Sequence, residues 1–140
     1  MLSPMHIAQF ALTVREYDEA IAFFCSRLGF TLLEDTDMGG GKRWVRIQPP
    51  NPPAATSPAI LLARAATPEQ RATVGNQTGG RVFIFLHTDN ISRDFDQFTS
   101  RGVTFVTQPR QESYGKVAVF LDLYGNKWDL IQPAHAAITK

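Results

Sequence analysis

An aspartate in the middle of an apolar strand is the residue of this sequence that most suggests chemistry. In the stretch DLYGNKWDLIQP, residues 122–133, turn-forming residues precede Trp128, Leu130 and Ile131, which favour a strand. Asp129 lies among them, where a buried carboxylate must be paired, protonated or bound to a cation. It could be a metal ligand, a general base or a hydrogen-bond acceptor for a ligand. The alternative is a structural carboxylate paired with one of four side chains: Gln9, Arg46, Arg64 or Lys127.

Other side chains are candidates for ligand contact or catalysis. His87 is the second catalytic candidate, as a base. A buried Gln9 amide would need a hydrogen-bond partner. Arg46 and Arg64 could bind a carboxylate or phosphate through two parallel N–H bonds, although either arginine, Arg64 above all, could instead reach solvent at a strand end. Four aromatic residues could stack on a planar ligand, although such density is also typical of a core: Trp44, Phe83, Phe85 and Phe120.

The composition predicts a globular protein without nucleic-acid or membrane partners. Apolar residues make up 44% of the 140 residues and charged residues 19%, and the net charge is +1 without a basic block. No apolar run is long enough to span a membrane, and the N-terminus MLSPMHIAQF lacks the features of a secretion signal. A single cysteine excludes an internal disulfide framework. We therefore expect a cytoplasmic protein.

The chain contains an internal repeat. Each half reads as strand, helix and three further strands, starting with FALTV and REYDEAIAFFCSRLG in one half and FIFLHT and DNISRDFDQFTSRG in the other. An offset of about 74 positions places Lys42 over Lys116 and Val45 over Val119. Both predicted helices have an apolar side, made by Tyr17, Ala20, Ile21, Phe24 and Leu28 and by Ile91, Phe95 and Phe98.

Strand alternation and the repeat predict which residues face away from the helices. On the fifth strand they are Phe83, Phe85 and His87, opposite to Val82, Ile84 and Leu86. On the other strands the same reasoning selects Gln9, Trp44, Arg46, Leu62, Phe120 and Asp129. A wall of aromatic side chains with a few polar groups is typical of a ligand cavity.

The stretches ALTVREYDEAIAFFCSRLGF and YGKVAVFLDLYGNKWDLIQ resemble the vicinal oxygen chelate superfamily. This group includes glyoxalase I, extradiol dioxygenases, fosfomycin-modifying enzymes and bleomycin-resistance proteins. The resemblance implies an α+β fold in which two βαβββ modules form a cup-shaped mixed sheet with the helices outside. It predicts one domain over residues 1–140, with modules at about 5–66 and 80–133, a linker at about 67–79 and a tail at 134–140.

The resemblance also implies where a divalent metal would be held, on the first and fourth strands of each module. The corresponding residues are Gln9, Leu62, Phe83 and Asp129. Gln9 and Asp129 carry possible oxygen ligands, whereas a leucine and a phenylalanine cannot bind a metal. No cofactor is therefore expected, and a metal bound by Gln9 and Asp129 is the alternative.

Two classes of function follow from this resemblance. The replaced positions favour a small-molecule-binding protein that lacks the usual metal and holds an aromatic or amphipathic ligand in an apolar cup. The alternative is a metal-dependent lyase or dioxygenase of glyoxalase type that uses Asp129 and Gln9. Whether the protein is an enzyme stays open at this point. Because small members of the family pair their modules across a twofold axis, a homodimer is expected.

Overall fold

Two four-stranded mixed sheets, one in each half of the chain, form the framework of the protein. The computed structural model describes residues 2–134. These residues divide into two compact units, with the boundary between Val74 and Gly75. The predicted tail, including His135, lies outside the described residues except for Ala134. None of the helices within residues 2–134 has the length and hydropathy of a membrane-spanning segment.

The first unit has the order strand, helix and three strands, followed by a short helix. Its elements are β1 (Gln9–Val14), α1 (Tyr17–Ile21, continued by Ala22–Arg27), β2 (Thr31–Gly39), β3 (Lys42–Gln48), β4 (Ala59–Arg64) and α2 (Pro68–Ala72). In the sheet, β1 runs parallel to β4, β4 is antiparallel to β3, and β3 is antiparallel to β2. The helix α2 lies in the segment that was predicted to link the modules.

The helix α1 changes its winding part-way. It becomes a π-helix over Ala22–Arg27, where the N–H of Leu28 donates to the carbonyl of Phe23 at 3.3 Å. Most of the predicted apolar side is buried: Tyr17, Ala20, Phe24 and Leu28. Phe23, outside that predicted side, is buried as well. Because a π-helix bonds five residues apart rather than four, its winding departs from the α-helical spacing used in the prediction.

The second unit repeats this topology. Its elements are β5 (Val82–His87), α3 (Ile91–Ser100), β6 (Arg110–Glu112), β7 (Gly115–Leu121) and β8 (Lys127–Pro133). The strand order β5-β8-β7-β6 corresponds to β1-β4-β3-β2 of the first unit. Asn90 caps α3 by accepting a hydrogen bond from the Arg93 N–H. The predicted α+β fold of two βαβββ modules is confirmed.

The segment that follows α3 does not form a regular strand. The segment VTFVTQ, residues 103–108, makes only an isolated bridge between Phe105 and Phe120, and the edge strand β6 begins at Arg110. The Phe105 ring lies 4.5 Å from the Phe95 ring and 5.6 Å from the Phe120 ring, centroid to centroid. Packing of this ring against α3 therefore replaces regular strand pairing.

The strand ladders correct the predicted face of Leu62. Leu62 pairs with Leu12 and with Val45, so these side chains share one face, and all three are buried. Arg64, two residues further on β4, stacks on Tyr17 of α1 at 5.4 Å. Leu62 therefore faces the helix, and its assignment to the opposite face is wrong.

The predicted face of Phe120 is also wrong. It pairs with Trp128, is fully buried, and its ring contacts that of Phe98 on α3 at 5.5 Å. The repeat alignment that placed Val45 over Val119 is out by one residue, since Val45 faces α1 whereas Val119 pairs with Asp129 on the other face. A shift of one residue moves every side chain of a strand to the opposite face.

Candidate functional site

The distal face of the second sheet, which lies opposite α3, carries the isolated carboxylate. The term distal face is used below for the side of each sheet opposite its long helix. In this sheet it contains Phe85, His87, Val119, Asp129 and Ile131. Asp129 is paired in the ladders with Phe85 on one side and Val119 on the other, so an aromatic and an aliphatic side chain flank it.

Asp129 is half-buried and makes no hydrogen bond or ion pair within the described part of the chain. Burial raises the pKa of its carboxyl above the ordinary value, and the positive charge of Arg110 opposes part of that rise. Arg110 itself is paired with Glu112 at 2.8 Å. The Asp129 carboxyl can therefore accept a hydrogen bond from a bound ligand or share a proton with it.

The aromatic residues of β5 divide between the two faces. Phe85 is 62% exposed although it lies next to Asp129. Phe83, predicted to share its face, lies at an irregularity of the ladder between Val82 and Ile84. Its ring packs edge-on against Trp128 at 6.1 Å, and Trp128 is buried on the helix side. The prediction that Phe83 and Phe85 line one wall is therefore wrong.

His87 lies on the distal face, but further along the strand than Asp129. It is paired with Ile131, whereas Phe85 is paired with Asp129. Its side chain is exposed. Two residues along a strand correspond to about 7 Å, so contact between His87 and the Asp129 carboxyl would need a bridging ligand.

The distal face of the first sheet contains Gln9, Trp44 and Arg46, as predicted. The Gln9 side-chain oxygen accepts a hydrogen bond from Arg46 Nε at 2.7 Å. Arg46 also forms an ion pair with Glu34 on β2 at 3.5 Å. The β4 residue on this face is Leu61, which pairs with both Arg46 and Ala11. The arginine is therefore held in place from two sides, next to the half-buried Trp44.

The sequence analysis missed the structural role of Asp122. This aspartate is 5% exposed and accepts four hydrogen bonds. The donors are the backbone N–H groups of Tyr124 and Asn126, the Asn126 amide and the Trp128 indole. Asp122 is therefore the structural carboxylate of this strand-turn-strand segment, and the D-x-x-G-N turn pattern is the signal that identifies it.

The side chains at the four implied metal positions do not fit a divalent cation. The Gln9 oxygen is bonded to a guanidinium, Leu62 faces α1, and Phe83 packs on Trp128. Within residues 2–134, no group of three or more His, Cys, Asp or Glu side chains is placed to hold a metal ion. Asp129 alone keeps an available oxygen ligand at these positions.

Comparison with known proteins agrees with this architecture. The model of the Glyoxalase/Bleomycin resistance protein/Dioxygenase superfamily matches residues 6–130. The chain belongs to this superfamily. The chain is similar in sequence to an uncharacterized protein of Shewanella frigidimarina (strain NCIMB 400). The two are 50% identical over 127 residues, which cover 90% of this chain and 92% of the relative.

Two solved structures of this superfamily fold resemble the chain over nearly its whole length. UcmS2 is 26% identical with a TM-score of 0.78, and the match covers 92% of this chain and 98% of UcmS2. TnmS3, an antibiotic-binding protein from Streptomyces sp. CB03234, is 26% identical with a TM-score of 0.71, covering 96% of this chain and all of TnmS3 (100%). A protein of similar fold is thus an antibiotic-binding protein.

Proposed function

We propose that the protein binds an aromatic or amphipathic small molecule at the distal face of its second sheet. The observation that carries the proposal is the pair formed by Asp129, which has no hydrogen-bond or ion-pair partner within residues 2–134, and the exposed ring of Phe85 beside it. A large aromatic side chain that remains exposed next to a half-desolvated carboxylate favours a ligand with both apolar and hydrogen-bonding groups.

The distal face of the first sheet supports the same class of ligand. Trp44 supplies an aromatic surface, and Arg46 is oriented by Gln9 and Glu34. An arginine held in this way loses little side-chain entropy when it binds an oxygen acceptor. The antibiotic binding of TnmS3, at 26% identity, makes an aromatic or amphipathic antibiotic the first ligand to test.

Metal-dependent lyase or dioxygenase chemistry is the alternative function. It would need Gln9 and Asp129 as ligands, and Gln9 is engaged by Arg46 at 2.7 Å. A cation placed next to that guanidinium would be repelled by it. We therefore propose that the family's usual metal is not used. The cytoplasmic location stays a prediction from composition.

Ligand binding can be tested by fluorescence titration with a panel of aromatic antibiotics. We expect saturable binding that Phe85→Ala weakens at least about tenfold, because the ring would supply much of the buried apolar contact. Leu123→Ala is a matched control, since Leu123 is also exposed, at 40%, but lies in the turn after β7. Equal losses in the two variants, or no binding by any compound, would contradict the proposal.

The metal question has a separate test. Elemental analysis of the purified protein should find no stoichiometric nickel, zinc, iron or manganese. Adding each metal in turn should leave the thermal unfolding temperature of the wild-type protein unchanged, as in Asp129→Asn. Near-unit occupancy that is lost in this variant would establish the metal-dependent alternative.

A further inference from the structure

Three arginines line a cavity in the first unit that the proposed ligand site does not include. The cavity has a volume of about 670 Å³, and its wall includes Arg15, Glu16, Arg64, Arg71 and Val74. Arg15 follows β1, Arg64 ends β4, and Arg71 lies on α2. Residues from three separate elements therefore bring guanidinium groups to one concave surface.

This cavity lies away from the distal face of the first sheet. Arg64 is paired with Val14 in the ladder, and its guanidinium stacks on the Tyr17 ring of α1 at 5.4 Å. Gln9, Trp44 and Arg46 project from the opposite side of the same sheet. A molecule in the cavity would therefore not contact the residues proposed above for the first sheet.

The charges of the cavity are only partly compensated. Arg64 forms an ion pair with Glu16 at 3.5 Å, and Arg15 pairs with Glu19 at 2.9 Å. Arg71 donates to the carbonyl oxygen of Ala66 at 3.2 Å, which is a neutral partner. Among these described residues, three arginines lie beside two glutamates, an excess of one positive charge. Since a guanidinium carries five N–H donors, Arg64 and Arg71 retain donors beyond these contacts.

The two arginines are also held in position. Stacking on Tyr17 orients the guanidinium plane of Arg64. On the other side of the cavity, α2 is fixed by Thr67, whose side chain accepts from the Gln70 N–H, and by Gln70, whose side-chain oxygen accepts from the Ala66 N–H. Preorganised donors lower the entropy cost of binding an anion.

We propose that this cavity binds a small molecule through an oxyanion group, a phosphate or a carboxylate. Two guanidiniums can each offer parallel N–H donors to such a group, and the volume accommodates a larger molecule that carries it. The oxyanion would displace the Glu16 carboxylate from Arg64. Their 3.5 Å contact is longer than the Arg15–Glu19 contact of 2.9 Å and the Arg71–Ala66 contact of 3.2 Å.

Calorimetric titration with pyrophosphate and with succinate separates the two sources of the oxyanion. We expect saturable binding of one of them, weakened at least about tenfold by Arg71→Gln, because α2 buries none of its side chains and should keep its fold. Arg93→Gln is the control, since Arg93 is an exposed arginine paired with Asp89 and Asp94 in the second unit. Arg64→Gln gives a second variant, with folding checked by circular dichroism.

Each outcome decides the proposal. Tighter binding of pyrophosphate assigns a phosphate group, and tighter binding of succinate assigns a carboxylate. No saturable binding of either probe overturns the proposal, as does equal weakening by Arg71→Gln and Arg93→Gln. The result is independent of the antibiotic titration, because Phe85→Ala should leave this binding unchanged.

Discussion

Asp122 and Asp129, two carboxylates of the same segment, have opposite environments. Asp122 is buried and accepts four hydrogen bonds, whereas Asp129 is half-buried and accepts none from the described residues. A buried carboxylate is tolerated when donors replace its lost hydration. The protein itself supplies these donors to Asp122. At Asp129 they must come from a ligand or from solvent.

Removing the Asp122 carboxylate should destabilise the protein strongly. Asp122→Ala leaves the Trp128 indole N–H and the Asn126 amide without their acceptor, and we expect a loss of about 3 kcal/mol or more in the free energy of unfolding. Urea denaturation measures it. Asp37→Ala is the matched control, because Asp37 accepts a single turn hydrogen bond from Gly39 and is exposed, and its loss should stay below about 1 kcal/mol. Similar losses in both variants would contradict this reading of Asp122.

Replacing Asp129 should have the opposite effect on stability. Since burial raises the pKa of this carboxyl, its charged form is the costly one in the folded state, and the wild type gains stability as pH falls through the raised pKa. Asp129→Asn should therefore stabilise the protein at neutral pH by at most about 1 kcal/mol, given the solvent access of the group. The gain should vanish below the ordinary aspartate value of 3.8.

Urea denaturation of both proteins as a function of pH measures this difference. A variant that is less stable than the wild type at neutral pH would mean that Asp129 has a stabilising partner. The same variant should lose the response to ligand, because the negative charge is removed and one of the two acceptor oxygens is replaced by an NH2 donor.

At the scale of elements, the start of β7 depends on a glycine. Gly115 has a φ of +143° and lies opposite Pro133 in the ladder between β7 and β8. A Cβ atom at this position would lie 2.2 Å from the carbonyl oxygen of Gln132, which is backbone and cannot rotate away. The pairing of the two strands therefore requires the absence of a side chain here.

Gly115→Ala should separate the ends of β7 and β8. We expect a loss of about 3 kcal/mol in the free energy of unfolding, from backbone strain and the steric clash together. Thermal and urea denaturation measure it. Gly40→Ala is the matched control, because Gly40 also has a positive φ, +64°, but nothing lies within 4 Å of the added atom. Its cost should be only about 1 kcal/mol; a Gly115 variant as stable as this control would contradict the clash.

At the scale of the molecule, the two units are built from one repeated module, and large apolar side chains remain exposed near the N-terminus. Leu2, Met5 and Ile7 are 90%, 85% and 70% exposed. An apolar group of this kind is often covered by another protein surface. This supports the expectation of a homodimer.

Light scattering at micromolar concentration should give twice the chain mass of 15.6 kDa. Ile7→Asp should shift the equilibrium toward the monomer if the N-terminal segment contributes to the interface, because a charge would be buried there. Leu33→Asp, at a side chain that is 41% exposed on β2, is the control. A monomeric wild type at this concentration would refute the dimer.

The sequence by itself determined the family, the repeated βαβββ topology and most helix and strand positions, because apolar periodicity and turn residues act locally. It also placed Gln9, Trp44, Arg46 and Asp129 on the distal faces. The tertiary structure decided what local pattern cannot: the one-residue shift that turns Phe120 and Leu62 toward the helices, and the ladder irregularity that sends Phe83 onto Trp128. Strand register depends on pairing between distant segments, and with a period of two a single step reverses the face of every side chain.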